Sequence, residues 1–214
     1  MSKALKIDFV SDVVCPWCVI GLRGLEIALE RIGDAVEADI TVHPYELNPD
    51  MPAGGENLLE HVAGKYGMPA DQVRQNGEQI RGRAADVGFA MNRSDASRIY
   101  NTFDAHRLLA WAKEKGEQLA LKRALLAAYF TEQTDISDPE ALVAVAEKVG
   151  LDGREAREIL ASNRFAEQVR SEEAIWIRRG VRGVPAVIVN DRYLISGGQP
   201  PEEFERQLRA IAAS

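Results

Sequence analysis

The sequence predicts an α/β fold in which a large all-helical block interrupts a small sheet domain. Three observations predict it. β-forming residues concentrate near the two ends of the chain, at 5–10, 36–47 and 185–195. The stretch from Glu56 to Arg179 has almost no strand pattern and reads as consecutive helices. The segment Asn48-Pro49-Asp50-Met51-Pro52-Ala53-Gly54-Gly55 holds two prolines and two glycines and marks the boundary between the two regions.

Each element follows from its residues. Leu5-Lys6-Ile7-Asp8-Phe9-Val10 alternates among β formers and reads as the first strand. Ser11-Asp12-Val13-Val14 turns the chain, and Cys15-Pro16 opens a helix. Proline suits the first helical position because its missing N–H has no partner there anyway. Leu22, Leu25, Leu29 and Ile32 form the stripe of a helix packed on a sheet, and Gly33 ends it. Within Val36 to Leu47, Ile40-Thr41-Val42-His43-Pro44-Tyr45 is the second strand, which completes a βαβ unit.

Helices are predicted at 56–66, 70–87, 97–115, 117–131, 138–149, 153–162 and 164–179. Asp138-Pro139-Glu140 is a cap followed by proline, and Asp152 with Glu155 is a capping-box-like start. Gly116, Gly150 and Gly180 stand where helices stop. Pro185-Ala186-Val187-Ile188-Val189, the turn Asn190-Asp191 and Tyr193-Leu194-Ile195 then form a hairpin. Gly197-Gly198 breaks it. Pro201-Glu202-Glu203 starts a last helix with Phe204, Leu208 and Ile211 on one face. The expected division is a sheet domain of 1–48 plus 181–214 and an inserted helical domain of 49–180.

Composition excludes several classes. The 214 residues carry 26 Lys+Arg against 33 Asp+Glu, a net charge of −7, where a nucleic-acid binder shows a basic excess. No run approaches the ~20 apolar residues of a membrane span. Asp8 and Asp12 interrupt what would be the apolar core of a signal peptide, so the expected location is cytoplasmic. A chain this long buries roughly 70% of its unfolded surface and needs no disulfide staple. Its only two cysteines, Cys15 and Cys18, therefore read as catalytic or metal-binding.

Cys15-Pro16-Trp17-Cys18 is the most informative element. Cys15 caps a helix whose first-turn N–H groups and dipole favour an anion, which lowers a thiol pKa from about 8.5. Cys18, at i+3, lies on the same face and can attack a mixed disulfide at Cys15. Half a zinc site and an inert buried pair are the competing readings. Tetrahedral zinc needs four ligands, and His43, His61 and His106 form no ligand-spaced pair, so no metal is expected. Gly183-Val184-Pro185-Ala186 precedes the late strand. A cis Val184–Pro185 bond would turn the Val184 N–H and C=O toward an extended substrate beside Cys15; an ordinary edge-strand proline is the alternative.

These motifs resemble the DsbA-like branch of the thioredoxin superfamily, and more narrowly its cytoplasmic FrnE-type dithiol–disulfide oxidoreductases. The narrower likeness rests on Asp8-Phe9-Val10-Ser11-Asp12, Tyr45-Glu46-Leu47-Asn48-Pro49-Asp50-Met51, Asn101-Thr102-Phe103-Asp104-Ala105-His106-Arg107-Leu108 and Ile195-Ser196-Gly197-Gly198-Gln199. It covers essentially the whole chain. The resemblance implies a thioredoxin-like fold with a helical domain inserted over the active site. It implies Cys15 as nucleophile, Cys18 as resolving thiol and a cis Val184–Pro185 bond. Related 2-hydroxychromene-2-carboxylate isomerases and kappa-class glutathione transferases carry serine at the position of Cys15 and use glutathione. They imply glutathione as redox partner or cosubstrate, with a subsite at Val184 and Ser196 to Gln199. A hydroxyl forms no disulfide, so keeping both cysteines favours redox chemistry here.

Further candidates surround this core. Trp17, between the cysteines, is placed to contact substrate or to cover the disulfide. Asn101 and His106 lie about a turn and a half apart on the predicted helix 97–115 and are candidates to face substrate. His106 tunes the Cys15 thiolate, or is a hydrogen-bonded interior histidine. His43 lines the cleft or packs at a strand end. Arg178, Arg179 and Arg182 raise the potential before Pro185, or form a solvated helix end. Trp111 and Trp176 read as core. Asn92-Arg93-Ser94 matches a glycosylation sequon without meaning in a cytoplasmic protein.

The leading function is thiol–disulfide oxidoreductase or isomerase, acting on protein or small-molecule thiols and disulfides. Two alternatives stand beside it: a glutathione-dependent isomerase or transferase for a small aromatic substrate, and a chaperone-like binding module with a secondary redox role. No nucleic acid or membrane partner is expected. The sequence allows a homodimer, but no residue pattern decides it.

Overall fold

The chain runs β1 (Lys3–Ser11), α1 (Pro16–Ile32), a 3-10 turn (Gly33–Ala35), β2 (Val36–Pro44), β3 (Glu56–Asn57), α2 (Leu58–Tyr66), α3 (Ala70–Asp86), β4 (Arg98–Ile99), α4 (Phe103–Glu114), α5 (Gln118–Phe130), α6 (Pro139–Lys148), α7 (Gly153–Leu160), α8 (Ala166–Arg178), β5 (Ala186–Val189), β6 (Tyr193–Ser196) and α9 (Pro201–Ala213). The structure, a computed structural model, describes residues 2–52 and 54–214; Ala53, in the predicted boundary segment, lies outside them.

The main sheet has the order β2-β1-β5-β6. β1 pairs with β2 in parallel and with β5 antiparallel, and β5 with β6 antiparallel. Alternation along each strand divides two cores. Leu5, Ile7, Phe9, Val187, Val189 and Ile195 face the large core shared with α1 and α9. Val10 and Ala186 face the other way, against Trp176 of α8 and Val181. β1 is covered on both faces, as a central strand fed by a βαβ crossover must be.

The helical insert is tied to this sheet. Trp111, Leu121 and Leu125 are fully buried in the same core as Ile7 and Phe9. Burying each such side chain contributes about 1.5–3 kcal/mol. Gln118, at the start of α5, meets the open edge of β2 as a third strand would. Its Oε1 accepts from Val42 N at 3.0 Å and its Nε2 donates to Val42 O at 2.9 Å. Arg107 of α4 is buried. Its guanidinium donates to the carbonyls of Ile159 and Ser162 and to Arg164 O, satisfying the C-terminal end of α7.

Two predicted helices start later than the periodicity implies. Residues 98–99 are strand, paired antiparallel with 56–57. The helix predicted from residue 97 begins at Phe103, because Asn101 Oδ1 accepts from Phe103 N at 2.9 Å and turns the backbone locally. The helix predicted from residue 56 begins at Leu58, capped by Asn57, whose side chain accepts from Glu60 N. A two-residue ribbon is too short to leave a period in the sequence. The second strand, predicted over Ile40 to Tyr45, starts earlier at Val36 and ends one residue sooner at Pro44.

Candidate active site

Cys15 is the N-cap of α1, with extended backbone at φ −84° and ψ 114°, and Pro16 follows as the first helical residue. Cys18 N donates to Cys15 O at 3.1 Å, closing the first turn and bringing the two sulfurs together. Both thiols are free and buried, while Trp17 between them is 39% exposed. The Val184–Pro185 peptide is cis, and the Cys15 thiol donates to Val184 O at 3.6 Å. The loop after β6 closes on the same point, with Gly197 N donating to Pro185 O at 2.9 Å. A Cβ on Gly198 would lie 2.8 Å from Trp17 O, and one on Gly21 would lie 2.9 Å from Pro185 Cγ. Only glycine lets these three segments approach so closely.

The two sulfurs are electrostatically unequal. A hydrogen bond from the Cys18 thiol holds Cys15 below the ordinary thiol range, and the N–H groups of Cys18 and Trp17 help against the opposing effect of burial. Burial pushes Cys18 well above that range, and the neighbouring Cys15 adds to the shift. The pair therefore holds one thiolate-forming sulfur at the mouth and one protonated sulfur behind it.

Behind the pair lie Asp12, His106 and Lys122, all buried. Asp12 Oδ1 accepts from Val13 N at 2.7 Å and lies 3.3 Å from His106 Nε2; its Oδ2 accepts from Leu47 N at 2.8 Å. Burial alone would push Asp12 up. The His106 hydrogen bond and charge, the Leu47 N–H and the Lys122 charge outweigh it and hold the carboxyl below the usual range. Lys122 is fully buried, and its Nζ has no hydrogen-bond partner. Burial lowers its pKa against the opposing charges of Cys18, Asp12 and Cys15.

The structure thus brings Cys15, Cys18, Pro16, Trp17, Val184 and Pro185 into one site. His106 is an interior histidine bonded to Asp12 rather than a cleft residue. Asn101 is not on the cleft wall; its Oδ1 accepts from Phe103 N just before α4, and its Nδ2 lies 3.4 Å from Pro49 O. It stands outside the helix that was expected to carry it. His43 packs on Trp176 at 4.7 Å and bonds Asp8 and Glu172, away from the sulfurs. Arg182 reaches the cleft, whereas Arg179 lies 3.9 Å from Asp191. Sequence reasoning missed Lys122. Its signal is a lysine on the apolar stripe Leu121, Lys122, Leu125, since an unpaired lysine is almost never fully buried.

A cleft of about 730 Å³ opens in front of Cys15. Cys15, Trp17 and Val184 form its floor; Leu58, Val62 and Tyr66 of α2 and Val73 and Ile80 of α3 form the facing wall. The space suits a small molecule or a short extended segment.

The comparisons with known proteins agree with this geometry. A probable DsbA oxidoreductase of Streptomyces coelicolor, SCO1869, superposes with a TM-score of 0.91 at 31% identity, covering 98% of this chain and 91% of that one. The uncharacterized protein YwbO of Bacillus subtilis (strain 168) is 26% identical over 205 residues, 95% of this chain and 96% of its own. The cytosolic disulfide reductase DsbM of Pseudomonas aeruginosa, solved with GSH, shares the fold with a TM-score of 0.65 at 17% identity, covering 98% and 100% of the two chains. The family model of the DSBA-like thioredoxin domain matches residues 6–209, so the chain belongs to that family.

Proposed function

We propose that the protein is a dithiol–disulfide oxidoreductase with Cys15 as nucleophile and Cys18 as resolving thiol. The observation that carries this reading is the inequality of the paired sulfurs, with Cys15 held low by the Cys18 thiol and the first-turn N–H groups of α1. The Cys15 thiolate attacks a substrate disulfide; the new S–S bond forms as the old one breaks, and one substrate thiolate leaves. Cys18 then loses its proton and attacks Cys15 sulfur. The second substrate thiolate leaves, and the protein retains an intramolecular disulfide. Two electrons have passed from the protein dithiol to the substrate, and the reverse sequence oxidises a substrate dithiol. In this reading Lys122, whose charge opposes the upward shift of Cys18, handles the Cys18 proton. Glutathione is the small-thiol partner in this reading, supported by the glutathione-bound reductase of the same fold. The cytoplasm is its compartment in this reading, supported by the cytosolic reductase of the same fold.

Equilibration against glutathione redox buffers, with free thiols counted by alkylation and mass, tests the reading. A two-electron transition is expected, and Cys18→Ser should trap glutathione on Cys15. If no intramolecular disulfide forms, or turnover survives Cys18→Ser, the dithiol mechanism is wrong and glutathione-dependent isomerisation takes its place.

A further inference from the structure

Arg93 is the unexplained cation of the active-site cleft. The other cations on its walls have partners. Arg74 bonds Asp71 and Asp95, Arg81 bonds Glu78, Lys65 donates to Leu47 O and Asn48 Oδ1, and Arg182 donates to Ile177 O. Arg93 makes no ion pair among the described residues; its polar neighbour is the Tyr129 hydroxyl, and its Nη2 is buried without a partner. A desolvated guanidinium with unused donors costs folding free energy, so its retention calls for a counter-charge.

Its position is built rather than incidental. The guanidinium stacks 4.7 Å from the Phe130 ring centroid and 5.9 Å from that of Tyr129. The preceding residue is pinned, with Asn92 N donating to Phe130 O and Asn92 Nδ2 to Thr131 O, each at 2.8 Å. Two aromatic rings and two hydrogen bonds thus fix a planar donor fork in the cavity that contains Cys15. Such a fork matches a carboxylate.

Resting on the oxidoreductase reading, we propose that this cleft selects a small thiol or disulfide with an anionic group, a carboxylate in the simplest case, which Arg93 receives while its sulfur exchanges at Cys15. The apolar wall of α2 and α3 takes the uncharged body of the same molecule. The chemistry is the exchange already written: the Cys15–substrate S–S bond forms, the substrate S–S bond breaks, and a carboxylate-bearing thiolate leaves.

The test uses the full-length Cys18→Ser protein, which stops at the mixed disulfide. Its rate of adduct formation is measured with three probes of similar length: 3,3′-dithiodipropionate, bis(2-hydroxyethyl) disulfide and cystamine. All three meet the same Cys15 thiolate, so their rate ratios cancel any effect of a substitution on that thiolate. The anionic probe should react about tenfold faster than the neutral one, and Arg93→Gln should remove most of that ratio. Arg93→Lys, which keeps the charge and loses the fork, should retain part of it, and it supplies the readout if the glutamine variant does not fold. No anionic preference in the parent, or a ratio unchanged by either substitution, overturns the proposal. If none of the probes forms an adduct at Cys15, the oxidoreductase reading itself fails, which is a separate result.

Discussion

A buried lysine without a hydrogen-bond partner is expensive, because its ammonium gives up hydration and gains no replacement. At Lys122 the charge opposes the burial that pushes the Cys18 thiol up. Lys122→Met should therefore raise Cys18 further and slow resolution of the mixed disulfide, on the order of 10²-fold if Lys122 also takes the proton. The pH dependence of that step should move upward, and by more than that of Cys15 adduct formation, whose thiolate Lys122 also faces. Rapid-quench measurement of the mixed-disulfide lifetime between pH 6 and 9 checks this. A loss of stability with an unmoved profile would make Lys122 merely structural. Asp12 is the complementary residue: its charge opposes the Cys15 thiolate, while its hydrogen bonds to the Leu47 and Val13 N–H groups hold the turn before the cysteines.

Elements meet at the site through close contacts that two glycines of α1 permit. A Cβ on Gly24 would lie 2.7 Å from Gln199 O, a backbone atom that cannot swing aside. Gly24→Ala should cost about 1–3 kcal/mol by overpacking and lower the melting temperature by several degrees, measured by calorimetry. The junction of β2 with α8 carries a titration. Glu46 and Glu173 share Arg170, and burial first, then the Glu173 charge, raises Glu46 to about 7. An unfolded glutamate ionises near 4.3, so the folded state holds a proton that the unfolded state has lost. Stability contributed by Glu46 therefore falls as pH rises from about 4.3 to 7 and is flat above. Glu46→Gln should match the parent near pH 4 and exceed it by about 1 kcal/mol at pH 8, after discounting for the half-exposed Arg170. Urea unfolding at the two pH values reads the difference, and an equal gain at both would refute the titration.

At the scale of the molecule, a single core runs from Ile7 and Phe9 of the sheet to Trp111 and Leu125 of the insert. Gln118 also joins the insert to the backbone of β2. Thermal unfolding should be one transition, with far-ultraviolet dichroism coincident with fluorescence from the three tryptophans. Two separated transitions would mean that the sheet region and the insert fold independently.

Local patterns determined the elements of this protein. The alternation at Leu5 to Val10, the stripe Leu22–Ile32, the Asp138 and Asp152 caps and the glycine stops are interactions between near neighbours, and each is visible in a few residues. So is the redox pair, because one helical turn sets its geometry. The tertiary structure alone decided what surrounds it. Cys15 meets Val184 across 169 positions of sequence, and Lys122 reaches the site from a helix whose apolar stripe gives only a generic core signal. Asn101 and His106, read together from their spacing, separate because a side-chain turn delays the helix between them. Arg93 looked like part of an idle sequon until the fold set it in the cleft. Desolvation and long-range contact give these residues their chemistry, and neither is a property of adjacent residues.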